Sequence, residues 1–186
     1  MGGRPLQAAV AALADGGLVA YPTEGVWGLG CDPANPRAVD RLLAAKRRDV
    51  AKGLILIAHD FEALRPWVQL PPEDKLTAAM QSWPGPATWL FPAADDAPGW
   101  ITGDSDRIAV RVTAHPPAAA LCRAWGGALV STSANRSGEP PAATATAVRL
   151  RLGRHLDALL PGPLGGLGRP SPIRDVMTGY LSLIHI

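Results

Sequence analysis

The chain has 186 residues, 47% of them hydrophobic, enough for one domain with a real core and too apolar for a largely disordered chain. Its net charge of +2 neither demands nor excludes a nucleic-acid partner; two cysteines without a C-x-x-C and four histidines without ligand spacing argue against a disulfide framework or a metal centre. No apolar run reaches the roughly 20 residues of a membrane helix, and Met1-Gly2-Gly3-Arg4-Pro5 lacks the apolar core of a secretion signal, so a soluble cytoplasmic protein with reduced thiols is expected.

Pro5 to Ala14 has helical apolar spacing, and Asp15-Gly16-Gly17 ends it. Leu18 to Tyr21 reads as a short strand, and Pro22 to Gly30 as a glycine-punctuated loop. Pro36-Arg37 opens a helix with Val39, Leu42 and Leu43 on its apolar face. Leu54 to Ile57 is a buried strand; Phe61 to Trp67 and Glu73 to Trp83 read as helices separated by Pro71-Pro72. Strands follow at Thr88 to Phe91 and Ile108 to Val112, then a helix at Pro117 to Trp125 and a strand from Ala128 into Ser131. Thr144 can cap a helix to about Leu152; Leu156 to Leu160 and Ile173 to Met177 are closing strands around a long Gly/Pro-rich loop, Pro161 to Pro172. Two strands joined without a clear helix predict an α/β fold with a sheet of mixed direction, not a pure doubly wound one. There is no internal repeat and no interdomain linker, so residues 1–186 are read as one domain.

Two segments carry most of the chemical information. Ser131-Thr132-Ser133-Ala134-Asn135-Arg136-Ser137-Gly138 empties a buried strand into hydroxyls and an amide, which must pair locally or meet a ligand. Lys46-Arg47-Arg48-Asp49-Val50-Ala51-Lys52-Gly53 supplies fixed positive charge, and together the two suggest an anion site. The chain has 15 Arg but only three Lys, and two of those, Lys46 and Lys52, flank Arg48. A lysine offers a point charge that reaches a phosphate differently from a guanidinium fork; a solvated helix end complementing the helix dipole is the plainer alternative. Arg47 is read as the solvated member and Arg48 as the inward one.

Glycines at 25, 28 and 30 would let backbone approach a ligand beside Thr23 and Glu24, but the loop is neither a Walker A nor a dinucleotide motif. Alternation sets Arg111 on the face opposite Val110 and Val112, aimed at solvent or at a carboxylate. Trp83-Pro84-Gly85-Pro86 reads as a rigid turn, and the tryptophans and cysteines as core residues. With no Ser-His-Asp order, paired carboxylates or metal cluster, what remains is positioning and charge stabilisation, the needs of phosphoryl or nucleotidyl transfer.

Eight segments, in order, resemble the YrdC/Sua5 family of threonylcarbamoyl-AMP synthases in its single-domain bacterial (TsaC) type: Tyr21-Pro-Thr-Glu24, Gly28-Leu-Gly-Cys-Asp32, Lys46-x-Arg48, Lys52-Gly-Leu-Ile-Leu-Ile57, Trp83-Pro-Gly-Pro86, Ala109-Val-Arg-Val112, Ser131-Thr-Ser-Ala-Asn135 and Ser171-x-Ile-Arg-Asp175. The resemblance implies a twisted mixed sheet with surrounding helices and a concave basic face. It also implies a nucleotidyltransferase joining L-threonine, bicarbonate or CO2, and ATP into threonylcarbamoyl-AMP and pyrophosphate. Partner proteins then transfer the threonylcarbamoyl group to the adenosine at position 37 of tRNAs. By the same resemblance Lys46, Arg48, Ser133 and Asn135 are catalytic and, with Lys52, hold ATP; Thr23, Arg111, Ser131 and Ser171 hold threonine. Mg²⁺ would arrive on the ATP phosphates, with no metal site in the protein.

Gly25 and Arg136 differ from what relatives often carry, and Tyr180 to Ile186 departs more: the family's nucleotide-holding Arg would fall near Leu183. That end is expected to be atypical or artefactual and to weaken ATP binding, and no second Sua5-type domain is expected. Candidate closing loops are Pro161 to Pro172 and Asp49 to Lys52. Two other readings are a non-catalytic RNA-binding module using the basic concave surface and, more remotely, a carbamoyl-adenylate domain of a larger maturation enzyme.

Overall fold

The computed structural model describes residues 3–167 and 171–182. Helix α1 (Arg4–Ala14) leads into the hairpin β1 (Val19–Pro22) and β2 (Trp27–Gly30). Then come α2 (Pro36–Lys46), β3 (Ile55–Ala58), α3 (Glu73–Ser82), β4 (Thr88–Pro92), the single turn α4 (Gly99–Thr102) and β5 (Arg107–Val112). The chain closes with α5 (Pro116–Trp125), β6 (Leu129–Ser133), α6 (Ala145–Leu152), β7 (Ala158–Leu159) and β8 (Ile173–Asp175). The eight strands form one sheet in the order β7-β1-β2-β6-β3-β5-β4-β8. The β1–β7, β3–β5 and β4–β8 pairs are parallel and the rest antiparallel, so the expected mixed sheet is what forms.

Helices cover the two faces unequally. On one face a cluster built around Leu56, Val110 and Val130 takes in residues of α2, such as Val39 and Leu42, and of α6, such as Val148 and Leu152. On the other, Ala9 and Leu13 of α1 and Ala118 and Leu121 of α5 pack on Val19, Tyr21, Ile57 and Leu129. Strand registers put Ile55, Ala109 and Ser131 on this second face, in line with Ile57, Arg111 and Leu129. Arg111 and Ser131, however, line a cleft rather than that apolar cluster, and this stretch of the sheet carries the candidate site.

Three expectations need correction. Trp27 to Gly30 is a strand, not a loop. Its glycines are required by the Tyr21 ring lying across them: a Cβ on Gly28 would come within 3.2 Å of Tyr21 Cε2, and one on Gly30 would meet the Val130 carbonyl and lie 2.9 Å from Tyr21 Cε1. The Tyr21 hydroxyl donates to that same carbonyl at 3.1 Å, locking the ring there. Phe61 to Trp67 is not a helix but a turn ending in one 3₁₀ turn at Arg65–Trp67. Pro66 has no N–H to continue an α-helical ladder and sits instead in the first positions of the 3₁₀ turn, while Asp60 accepts the Ala63 N–H at 3.0 Å and caps the preceding turn. The closing strands are shorter than read: β8 stops at Asp175, whose carboxylate turns inward to accept the Met177 N–H at 2.8 Å.

At the end of the chain, the Asp175 N–H donates to the Tyr180 carbonyl at 3.0 Å, the Ser182 N–H donates to the Ile173 carbonyl at 2.7 Å, and Leu181 bridges Arg174 antiparallel. Residues 180–182 thus fold back along β8. Leu183, where the resemblance sets an Arg, lies outside the described residues.

Candidate functional site

Thr23, Arg111, Ser131, Ser133 and Ser171 line one cleft of about 120 Å³, together with Thr132, Gly28 and Ile55. Segments distant in sequence thus meet in one cleft, Thr23, Arg111, Ser131 and Ser171 among them. Arg111 is 7% exposed, so the solvent-facing alternative is ruled out. Its Nη1 donates to Ser171 Oγ at 3.1 Å and, longer, to Thr88 Oγ1 at 3.4 Å. Its Nη2 lies 3.8 Å from Glu24 Oε2, while Nε has no protein partner. Glu24 is itself buried: Oε1 accepts the Thr113 hydroxyl at 2.6 Å and Oε2 accepts no hydrogen bond. Buried polar atoms left unpaired cost about 1–3 kcal/mol each, and here a guanidinium and a carboxylate only half satisfy each other.

The hairpin tip and a strap hold this arrangement. Thr23 Oγ1 donates to the Val26 carbonyl at 2.6 Å, fixing the β1–β2 turn. The Gly165 N–H donates to the Thr23 carbonyl and the Leu167 N–H to that of Glu24, both at 3.0 Å. Only glycine fits at 165, where a Cβ would lie 2.7 Å from Glu24 Cα. His115 Nε2 donates to the Pro163 carbonyl at 2.9 Å, and the His115 N–H to Thr113 Oγ1 at 3.2 Å. Part of the long loop, 161–167, is thereby tied to the tip; Gly168 to Pro170 lie outside the described residues, and Ser171 meets Arg111.

The cationic segment behaves differently from a plain phosphate cradle. Asn35 accepts the Arg37 and Ala38 N–H groups and starts α2; Arg47, at φ 50°, ends it in the left-handed region. The Arg48 N–H then bonds back to the Leu43 carbonyl at 3.0 Å, which leaves Arg47 exposed and turns Arg48 inward, as the sequence reading had it. Lys46 is 2% exposed, and its Nζ donates to the Ser133 carbonyl and, at 2.8 Å, to that of Asn135. Burial, and then the neighbouring Arg48 charge, lower its pKa to about 7. The ammonium thus props the strand end that presents Ser133. The Asn135 amide donates to the carbonyls of Arg136 and Glu139, while its Oδ1 is buried without a donor. Arg48 Nη2 donates to the Gly53 carbonyl at 3.0 Å; its Nε has no partner, and burial lowers its pKa. Lys52 is exposed and lines a separate recess of about 20 Å³ with Ser105 and Arg107. The structure does not bring it to the Arg111 cleft.

Thr88 and Thr113 were missed. The signal for Thr88 was its place on a strand antiparallel to β5; for Thr113, its place two residues beyond Arg111, on the same face. Both cysteines are buried, and burial raises their thiols to about 12, which fits core residues rather than nucleophiles.

The chain is similar to proteins of one family. The family model for Sua5, YciO and YrdC, described as "Telomere recombination", matches residues 11–185. A threonylcarbamoyl-AMP synthase of Xanthomonas campestris pv. campestris is 53% identical over 178 residues, covering 95% of each chain. One of Alkalilimnicola ehrlichii is 58% identical over 172 residues, covering 91% of this chain and 90% of that protein. Among solved structures, P. abyssi Sua5 complexed with L-threonine superposes with a TM-score of 0.85 at 33% identity, covering 91% of this chain. This chain spans 50% of that protein's length. E. coli YciO, at 23% identity and a TM-score of 0.81, shares the fold. A family model spanning nearly the whole sequence and relatives above half identity over matching lengths lead to one conclusion: the chain belongs to the Sua5/YciO/YrdC family.

Proposed function

We propose that the chain is an L-threonylcarbamoyladenylate synthase, a nucleotidyltransferase acting in tRNA modification. The observation that carries this is Arg111: a buried guanidinium, incompletely paired, beside three hydroxyl side chains in a cleft on the scale of one small amino acid. Arg111 would take the threonine carboxylate in charge-assisted hydrogen bonds. Thr23, Ser131 and Ser171 would read its amine and hydroxyl. The relatives named threonylcarbamoyl-AMP synthase and the threonine complex of P. abyssi Sua5 support that reading.

The chemistry asks little acid–base work of the protein. Threonine and bicarbonate condense to the N-carboxylate with loss of water and a proton. A carboxylate oxygen then attacks the α-phosphorus of ATP, the bond to the β-phosphate oxygen breaks, and pyrophosphate leaves. The nucleophile is already an anion, so catalysis rests on alignment and on offsetting charge in the transition state. Ser133 and Asn135, on the strand end propped by Lys46, would align the reacting phosphate. Arg48, and Lys52 if its exposed segment closes over the nucleotide, would offset charge on the leaving pyrophosphate. The polar side chains lining the cleft are hydroxyls and a guanidinium, and the neighbouring Glu24 carboxylate accepts the Thr113 hydroxyl and faces the Arg111 charge at 3.8 Å. Mg²⁺ therefore enters on the ATP phosphates, as part of the substrate.

The RNA-binding reading has no use for a buried Arg111–Glu24 pair under a strap. The test is mass-spectrometric detection of threonylcarbamoyl-AMP from threonine, bicarbonate and ATP. Formation that stops when any one is omitted supports the synthase. RNA binding that falls steeply with salt, without any adduct, would favour the alternative.

A further inference from the structure

A larger cavity lies elsewhere. Trp67 and Trp100 pack against the cluster of Leu56, Val110 and Val130, on the sheet face opposite Arg111 and Ser131. Together with Trp125, which packs against the cluster of the other face, they wall a groove of about 720 Å³ that shares no lining residue with the Arg111 cleft. Its charged lining consists of Asp32, Glu62 and Asp96, with no Lys or Arg. In a chain of net charge +2, three carboxylates and three indoles thus collect in one groove. Little inside the protein neutralises them. Arg65 approaches Glu62 only at 3.9 Å between exposed side chains, Asp32 accepts the Ala34 N–H at 2.9 Å, and Asp96 has no ion pair among the described residues. The Trp100 indole donates to the Pro33 carbonyl at 3.0 Å, which fixes its ring as part of the wall.

We propose that this groove docks a basic segment of a partner protein. Lysine or arginine stems would lie along the indole faces, and their cationic heads would meet the rings and the three carboxylates. Tryptophan walls with an acidic rim suit a protein interface, whereas carboxylates repel the phosphates of RNA. A groove of this size takes several side chains rather than one small cation. Because it shares no lining residue with the Arg111 cleft, a docked partner would leave that cleft uncovered.

The test is an NMR titration of the full chain, reading the six indole N–H signals against a capped nonapeptide of alternating Arg and Gly and against its Glu counterpart. The Arg peptide is expected to shift Trp67, Trp100 and Trp125 while Trp27, Trp83 and Trp89 stay put, and the Glu peptide to shift none. Glu62→Lys with Asp96→Lys is expected to weaken binding at least about tenfold, since each exposed pair is not merely lost but reversed; unchanged pyrophosphate release from threonine, bicarbonate and ATP confirms that this variant folds. The proposal is overturned if the groove indoles stay still, if the doubly reversed variant binds as tightly, if arginine amide alone gives the same shifts at the same concentration, or if a short RNA moves these three signals.

Discussion

Replacing Arg111 by Met tests both the site and its architecture. Arg111 Nη2 and Glu24 Oε2 are 3.8 Å apart with about a tenth of each side chain exposed. At an effective dielectric of about 20, unit charges at that distance attract by about 4 kcal/mol, partly offset by their desolvation. Removing the cation alone leaves Glu24 buried against Thr113 with no counter-charge, and destabilisation of about 3 kcal/mol is expected in urea titration. Adding Glu24→Gln should restore at least half of that, because the amide still accepts the Thr113 hydroxyl and carries no charge. Threonine use should not recover. Losing one charge-assisted carboxylate contact of about 1.5–3 kcal/mol raises the threonine KM by roughly 10- to 150-fold in both variants, with the ATP KM within about twofold of wild type. If Glu24→Gln fails to rescue stability, the ion-pair argument is wrong. If threonine KM stays put in Arg111→Met, the assignment of the cleft is wrong.

Further predictions concern Lys46, Gly30 and the two cysteines. Lys46 has a folded pKa of about 7, below its unfolded value of about 10.5, so the unfolded chain binds more protons between those limits and apo stability should rise with pH across that window; Lys46→Met should flatten the slope. If ATP phosphates reach Lys46, binding at pH 8 should take up close to one proton, read by calorimetry in two buffers of different ionisation enthalpy, and zero uptake would refute contact. Gly30→Ala forces a Cβ against the Val130 carbonyl and the Tyr21 ring and should cost about 2–3 kcal/mol in urea. Cys31 and Cys122, with thiols raised to about 12, should resist a thiol reagent at pH 8 until urea unfolds the chain, and the double Ala variant should keep its activity.

Much of this was legible in the sequence, but unevenly. Alternation gave the face on which Arg111 lies; its burial was not legible, because Glu24, Thr88 and Ser171 reach it from three other segments. The scarcity of lysine pointed to Lys46, yet its acceptors lie 87 and 89 residues away, so a charge that reads as phosphate-seeking turns out to prop backbone carbonyls. Strand β2 was hidden because its glycines read as a loop; the volume they lack is filled by Tyr21 from the neighbouring strand, a tertiary fact that local propensity cannot carry. Pro66 was visible in the sequence, and giving it full weight would have ended the helix expected at Phe61 to Trp67.

Pyrophosphate release from ATP, with threonine and bicarbonate each supplied or withheld, tests the central claim most directly. The synthase account requires release only when both are present, and its fall of at least about fivefold in Arg111→Met at threonine near the wild-type KM. Release without threonine, or no release while the chain still binds RNA in a salt-sensitive way, would contradict it.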